Sequence, residues 1–341
     1  MIAPNKLAAV ALGCVVATGS SYGHHGSAPH FEMSRNIEIR GTVQRFEARN
    51  PHSFVHVDVT DESGRTVAWR CELNSIASIR RLGIDESTFT AGEQIRIVGH
   101  PARRDADECY FREAELADGR IVRATESAER ATAAAKPAVV QKGVLGTWVR
   151  KNTAGGGVGA PRILDFLTDA GREAVAGYDA FRDDPALRCS PVGPTRLWGN
   201  PVQPFEIREQ GSRIVLAFEF MDAVREVQMD TAVHPEGGPR TVLGHSVGRW
   251  DGGALVLDTA NFAPGVVTQY AQTGGDQYAG VLHSDAYHIT ERLALNENGD
   301  LEVTWTHEDA KYFTRAFDGG PATFERRPDL AVGRYECERD R

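Results

Sequence analysis

The stretch Ser246–Phe262, SVGRWDGGALVLDTANF, decides the fold of the larger part of this chain. Its centre, Asp251-Gly252-Gly253, supplies the residues that a tight hairpin loop demands. On the far side Leu255 and Leu257 fall on one face of a strand, while Asp258 falls opposite, alongside Val256. A lone hairpin cannot bury an apolar face, so more strands must extend it. They are present on both sides. Upstream, RIVLAFEF (213–220) puts Ile214, Leu216, Phe218 and Phe220 on one face, and VREVQM (224–229) follows. Downstream, AYHITERLAL (286–295) turns at NENGD (296–300) into LEVTWTHED (301–309). An antiparallel meander of this length closes into a barrel or packs as a sandwich. Gly146 and Trp148 of the opening VLGTWVR look like the first strand of lipocalin-type barrels. One helix is expected from a Thr168 cap through Asp169 to Tyr178. Residues 144–330 therefore read as an antiparallel lipocalin-like barrel, with 331–341 as a C-terminal tail. The interior of such a barrel suits a small, partly apolar molecule.

Residues 34–124 carry a different order. NIEIRGTVQRF (36–46), SFVHVDV (53–59) and TVAWRCEL (66–73) alternate as strands. A short helix follows, capped by Asn74 or Ser75, with Ile76, Ile79 and Leu82 as its apolar stripe and Gly83 as its stop. EQIRIVG (93–99) and CYFREAEL (109–116) come next, then a turn at Asp118-Gly119 into RIVRA. Three strands, a helix and two strands is the order of an OB-like Greek-key barrel. The Ala-rich residues 125–143, with a central Pro137, read as a linker. The whole chain is thus expected to be mainly β, an OB-like barrel followed by the larger one.

The N-terminus reads as an export signal over residues 1–23. Lys6 supplies the charge, Leu7 to Thr18 the apolar run, and Ser21 and Gly23 the small residues of a cleavage site. A rival reading takes Cys14 as a lipidation site. The run is too short to span a membrane. The expectation is a periplasmic or secreted protein, with His24 as its first residue and 24–33 as a histidine-bearing segment. The composition of the 341 residues, 41% apolar and 25% charged, is that of a soluble globular protein. The formal charge of -9 argues against nucleic acid or an anionic membrane as partner. Cys71, Cys109, Cys189 and Cys337 remain after signal removal, an even set for an oxidising compartment. Of their three pairings, domain membership favours Cys71–Cys109 and Cys189–Cys337. No C-x-x-C pair exists to suggest a structural zinc knot.

Several stretches resemble uncharacterised exported bacterial proteins. His24-His25-Gly26, GTVQRFEARNPHSFVHVDV (41–59), FTAGEQIRIVGHPAR (89–103) and ADGR (117–120) are similar to a group whose mature chain opens with His-His-Ser and carries Gly-Thr-Val and Asn-Pro-His motifs. CSPVGPTRLWGNPVQPFEI (189–207), the run 229–259, LHSDAYHITERL (282–293) and LEVTWTHEDAKYFTRAF (301–317) resemble a second such group. The resemblance implies export and two β-rich domains, and it supplies no activity. The chain departs from the second group at Thr231-Ala232 and at Asp251-Gly252-Gly253, where an arginine and an acid of that group are missing.

Three constellations could carry chemistry. A mature His24 would offer its α-amine and imidazole, and His25, His30 or His52 could complete a brace for copper or another transition metal, with His56 in reserve. The bland reading is a metal-capable tail and ordinary surface histidines. In NPHSFVHV, Asn50-Pro51 reads as a turn, with His52 and His56 sharing a strand face with Phe54. Its single Phe and lack of nearby bases do not fit single-strand binding. In the second domain His245, Asp258, His283 and Glu291 form a candidate catalytic set, with His234, Arg249 and Trp250 as candidate ligand contacts. If the face of Ile289, Glu291 and Leu293 is the interior, Glu291 is buried and needs a partner such as Arg249 or a histidine. That pair could do acid–base work or simply plug the barrel. Gly244-His245-Ser246-Val247-Gly248 is not a nucleophile elbow, because no helix follows. GGGVG (155–159) lacks the spacing and βαβ context of a dinucleotide loop. The functions in view are a small-molecule binder with a metal site, a cofactor-free isomerase, lyase or hydrolase, and an accessory protein with neither activity.

Overall fold

The computed structural model describes residues 30–124, 143–151, 160–199, 203–274 and 277–338. The expected signal segment, His24 and His25, and all but the last residue of the expected 125–143 linker lie outside the described residues. The first barrel is built from β1 (Ile37–Glu47), β2 (Ser53–Thr60), β3 (Thr66–Leu73), the helix α1 (Ile76–Ile79), β4 (Gln94–Pro101) and β5 (Glu108–Glu115). Neighbours run β3-β2-β1-β4-β5, and a parallel β3–β5 pairing closes the ring, with the short β6 (Ile121–Arg123) added to β5. This is the order read from the sequence. Ser75 caps α1 by accepting from the Ser78 amide. The chain leaves through a 3-10 turn that stops at Gly83 in the left-handed region (φ 81°). Val55, Val57, Leu73, Ile79, Ile97 and Phe111 fill this barrel. The Cys71–Cys109 bridge pins β3 to β5 at their closing seam.

The second unit begins with β7 (Gly146–Arg150). The helices α2 (Asp169–Ala176), α3 (Ala180–Asp183) and α4 (Pro194–Gly199) follow. Then come β8 (Phe205–Gln210), β9 (Arg213–Phe218), β10 (Val224–Gln228), β11 (His245–Asp251), β12 (Ala254–Ala260), β13 (Gly265–Gly274), β14 (Gln277–His283), β15 (His288–Leu295), β16 (Leu301–Glu308) and β17 (Phe317–Arg326). Nine strands close in the order β10-β11-β12-β15-β16-β17-β7-β8-β9. The expected barrel is therefore present, with one departure: β10 and β11 pair in parallel. The long connection between them lets β11 enter in the same direction as β10. The hairpin at Asp251–Ala254 forms as read. Asp251 pairs with Ala254, and Gly252 and Gly253 take φ of 56° and 91°, the conformation that favours glycine. β13 and β14 stand apart from the barrel as an antiparallel two-stranded sheet.

The middle of this barrel is filled. Trp198, carried in by α4, packs edge-on against Phe205 (5.4 Å) and Phe218 (5.2 Å), and Phe205 meets Phe324 at 5.0 Å. Trp148, Leu255, Leu257, Ile289, Leu293, Leu301 and Val303 complete the packing.

The C-terminal segment is anything but a loose tail. Cys337 is bonded to Cys189, and Tyr335 is buried against Phe220. Asp222 accepts the Tyr335 amide, the Asn50 side chain donates to the Tyr335 carbonyl, and Glu338 N donates to the Asn50 carbonyl. Beside this strap Arg81 of the first barrel meets Glu219 of the second with both carboxylate oxygens (2.8 and 2.6 Å). Gln203 donates to Ser75 and Ser78 (2.8 and 2.7 Å). The two barrels are joined by polar contacts and by a disulfide-held strap. Both disulfides are the pairings expected from domain membership.

Candidate metal centre

The outer wall of the second barrel is a lattice whose rows follow from strand register. On β11, β12, β15 and β16 one row reads Val247, Asp258, Thr290, Thr306. The next row toward one end holds His245 opposite Ala260 and His288 opposite Glu308. The next row toward the other end reads Arg249, Val256, Arg292, Thr304. Period-two alternation puts all of these on the outer face. Ala260 has no bulk, which leaves room between the two imidazoles that flank it.

His234 completes the group from the loop between β10 and β11. That loop is clipped to the end of β12: Asn261 donates to the Pro235 carbonyl (3.0 Å), and Arg240 donates to the carbonyls of Asp285 (2.5 Å) and Phe262 (3.3 Å). His234 Nε2 lies 2.7 Å and His288 Nε2 2.9 Å from the same oxygen, Asp258 Oδ1. On the far sides of these rings, His234 Nδ1 is 2.9 Å from His245 Nδ1, and His288 Nδ1 is 3.6 Å from Glu308 Oε2. The three central side chains are partly open to solvent, at 20% for His234, 36% for Asp258 and 30% for His288. Burial opposes ionisation of Asp258, but the hydrogen bonds from the two imidazoles outweigh it and hold the carboxyl below its usual range. Burial, then the charge of His234, lowers His245.

Among the described residues this is the one set of three metal-capable groups whose donor atoms lie mutually close, within 4.8 Å. Bonds of about 2.1 Å in a tetrahedral site place ligand atoms about 3.4 Å apart. The two nitrogen–oxygen contacts, 2.7 and 2.9 Å, would open by roughly half an ångström to admit an ion. The outer partners suit the task. With Nε2 on a metal, each ring must carry its proton on Nδ1, where His245 accepts from one ring and Glu308 faces the other. Second-layer acceptors of this kind fix tautomer and ring orientation at metal sites.

The candidate catalytic residues are not brought together. His245 and Asp258 stand on the outer wall, and Glu291 faces the interior, fully buried. Its partner is not Arg249 or a histidine. Arg225 meets Glu291 with both amine nitrogens (2.8 and 2.5 Å), Trp198 Nε1 donates to it (2.5 Å), and the Arg225 guanidinium also reaches Thr259 at 3.2 Å. Glu291 thus accepts three hydrogen bonds and is sealed by packing. Trp198 and Arg225 were missed. The alternation in VREVQ, which puts Arg225 on the face of Val227, was the available signal. His283 sits elsewhere again. Its Nδ1 donates to the Ser284 carbonyl (3.0 Å) and its ring stacks on Tyr287 at 4.3 Å. Tyr287 in turn bonds His307 Nδ1 (2.7 Å), whose Nε2 accepts from Trp305 (2.9 Å). Burial lowers His283 and, with the charge of His283, takes His307 down to about 3.

Of the candidate ligand contacts, His234 joins the cluster and Arg249 stands in the adjoining rows. Trp250 alternates to the other face at the barrel rim, 45% exposed. Of the expected metal histidines, His30 and His52 are near neighbours. Burial, then the charge of His52, pushes His30 down to about 4. His52 lies in the turn before β2, not on the strand, 3.3 Å from Glu72. His56 faces Glu47 at 3.1 Å. His288 and Glu308 were not singled out from sequence, because only strand register puts them beside Asp258.

The fold and this cluster define a mainly β protein of two barrels, disulfide-braced, with a His/Asp cluster on the wall of the larger one. Residues 11–109 match a family of unknown function, DUF6152, a stretch that reaches from the N-terminal region through β4 to the start of β5. No curated protein matches the chain.

Proposed function

We propose that this is an exported protein that binds a divalent transition metal at His234, Asp258 and His288, with His245 and Glu308 as the outer layer that orients the imidazoles. The observation that carries the reading is the convergence of two Nε2 atoms on one carboxylate oxygen, with His245 Nδ1 at hydrogen-bond distance from one ring and the Glu308 carboxylate facing the other. Export accords with the two disulfides, which persist in oxidising compartments. With Cys71, Cys109, Cys189 and Cys337 all oxidised, the donors are nitrogen and oxygen. Such donors suit Zn²⁺, Cu²⁺, Ni²⁺ or Fe²⁺ rather than Cu⁺. The metal expectation of the sequence is thereby moved from the histidine tail to the barrel wall. The filled interior favours this outer site over a ligand enclosed within the barrel.

The test is calorimetric titration of chelator-stripped protein with Zn²⁺ and Cu²⁺. One equivalent should bind tightly, and His288→Ala or Asp258→Asn should weaken it by about 100-fold or more, with circular dichroism unchanged. His245→Phe should cost about 10- to 100-fold, the usual range for an outer-layer partner. If all of the binding disappears on removing His24 and His25 and none on replacing His288, the site belongs to the tail and the proposal is wrong.

A further inference from the structure

We infer that the bound cation keeps an open position for a small oxyanion, phosphate or carboxylate in class, and that Arg249 supplies the second contact. This inference rests on the metal reading above.

Three protein donors leave a divalent ion short of its usual shell, and three-ligand sites hold a water or substrate in the remaining position. Here that position faces outward, because all three donors come from an exterior wall and remain partly accessible. What stands beside it is fixed by register. Asp258 and Val256 are two residues apart on β12, so the Arg249–Val256–Arg292 row lies about 7 Å from the Asp258 row. An arginine side chain is long enough to span that interval.

The two arginines of this row are not equivalent. Arg292 is held by Asp251 at 2.7 Å. Arg249 is exposed and makes no ion pair among the described residues. The residues between Arg249 and the cluster are Val247 and Val256, buried at 5% and 4%, so the interval itself is apolar. Glu308 stands at the opposite end, behind His288, and Asp251, two residues along β11 from Arg249, is engaged by Arg292. The wall therefore presents a cation site, an apolar step and a free guanidinium in sequence. A ligand with two oxygens on one centre fits that order, one oxygen on the metal and one on the planar donor fork. Nothing in this arrangement uses the barrel interior.

The experiment uses the full mature protein loaded with Co²⁺, whose visible spectrum reports on its coordination shell. Inorganic phosphate and acetate are the two probes. Addition of phosphate should change the cobalt spectrum saturably, and Arg249→Met should raise the phosphate Kd by about tenfold or more while Co²⁺ affinity stays within about twofold. A response to phosphate alone narrows the class to tetrahedral oxyanions, and a matching response to acetate extends it to carboxylates. A bound cobalt whose spectrum ignores both anions overturns the inference and leaves the metal reading standing. So does an Arg249→Met protein that responds like the parent. Failure of cobalt to bind, or binding that survives His288→Ala, overturns the metal reading itself and the inference with it.

Discussion

Replacing Glu291 by leucine should destabilise the second barrel severely. Glu291 is 0% exposed and accepts three hydrogen bonds, two from Arg225 and one from Trp198. Leucine removes the acceptor and strands both donors. A guanidinium left buried without its counter-ion costs about 3–5 kcal/mol. The orphaned indole N–H adds about 1–3 kcal/mol. Thr259 at 3.2 Å and Ser246 at 3.4 Å give Arg225 partial compensation, which places the net loss near about 4 kcal/mol. For a unit of this size each kcal/mol moves the melting temperature by about 2–4 °C, so a fall of about 8–16 °C is expected. The double replacement Arg225→Met with Glu291→Leu removes the stranded charge. It should recover most of the loss, leaving the indole term and a coupling energy of at least about 2 kcal/mol. Thermal and guanidinium unfolding followed by tryptophan fluorescence would measure all three proteins, with Trp198 itself as a reporter. A Glu291→Leu melting temperature within about 2 °C of the parent would refute the reasoning. It would mean that water or another group reaches Arg225 and that the barrel is looser at its centre than the packing around Trp198 implies.

Two further outcomes are expected. His307 is held neutral by burial, down to about 3, whereas in the unfolded chain it titrates near 6.5. Below about pH 6.5 the unfolded chain therefore binds the extra proton, and the stability from this histidine is lost as pH falls toward about 3, by up to about 5 kcal/mol. His307→Phe should flatten that part of the acid limb in denaturant titrations, and an unchanged limb would count against the burial argument. Replacing Cys189 and Cys337 together by serine opens a loop with a sequence separation of 148 residues. It should cost about 2–5 kcal/mol. It should also expose residues 331–338 to limited proteolysis before the rest of the chain, and equal protection of that segment would show that Tyr335 and Asp222 hold it unaided.

Local pattern carried much of the fold. Alternation along Ser246–Phe262 and its neighbours determined that residues after 144 form a sheet with one apolar face. Two adjacent glycines after Asp251 determined where it turns. Asn74 or Ser75 and then Gly83 marked the ends of the short helix in the first barrel, and domain membership was enough to pair the four cysteines. These features depend on residues near one another in the chain, or on a count, and a sequence displays both directly. Parity also put Asp258 and Glu291 on opposite faces once their strands were neighbours, although sequence proximity of type had grouped them into one catalytic set.

What only the tertiary structure decided is which strands adjoin. The parallel β10–β11 seam, the entry of Trp198 from α4 into the barrel, and the closure of β17 on β7 are contacts between segments far apart in sequence. No local propensity encodes them. The cluster of His234, Asp258 and His288 is of the same kind. It exists because Asp258 pairs with Thr290, because His288 stands one row on, and because Arg240 draws the loop bearing His234 down onto the end of β12. A one-residue slip between β12 and β15 would put Asp258 and Glu291 on the same face and take Asp258 off the face that carries His288. Strand chemistry supplied the groups, and register brought their donor atoms to within bonding distance of one another.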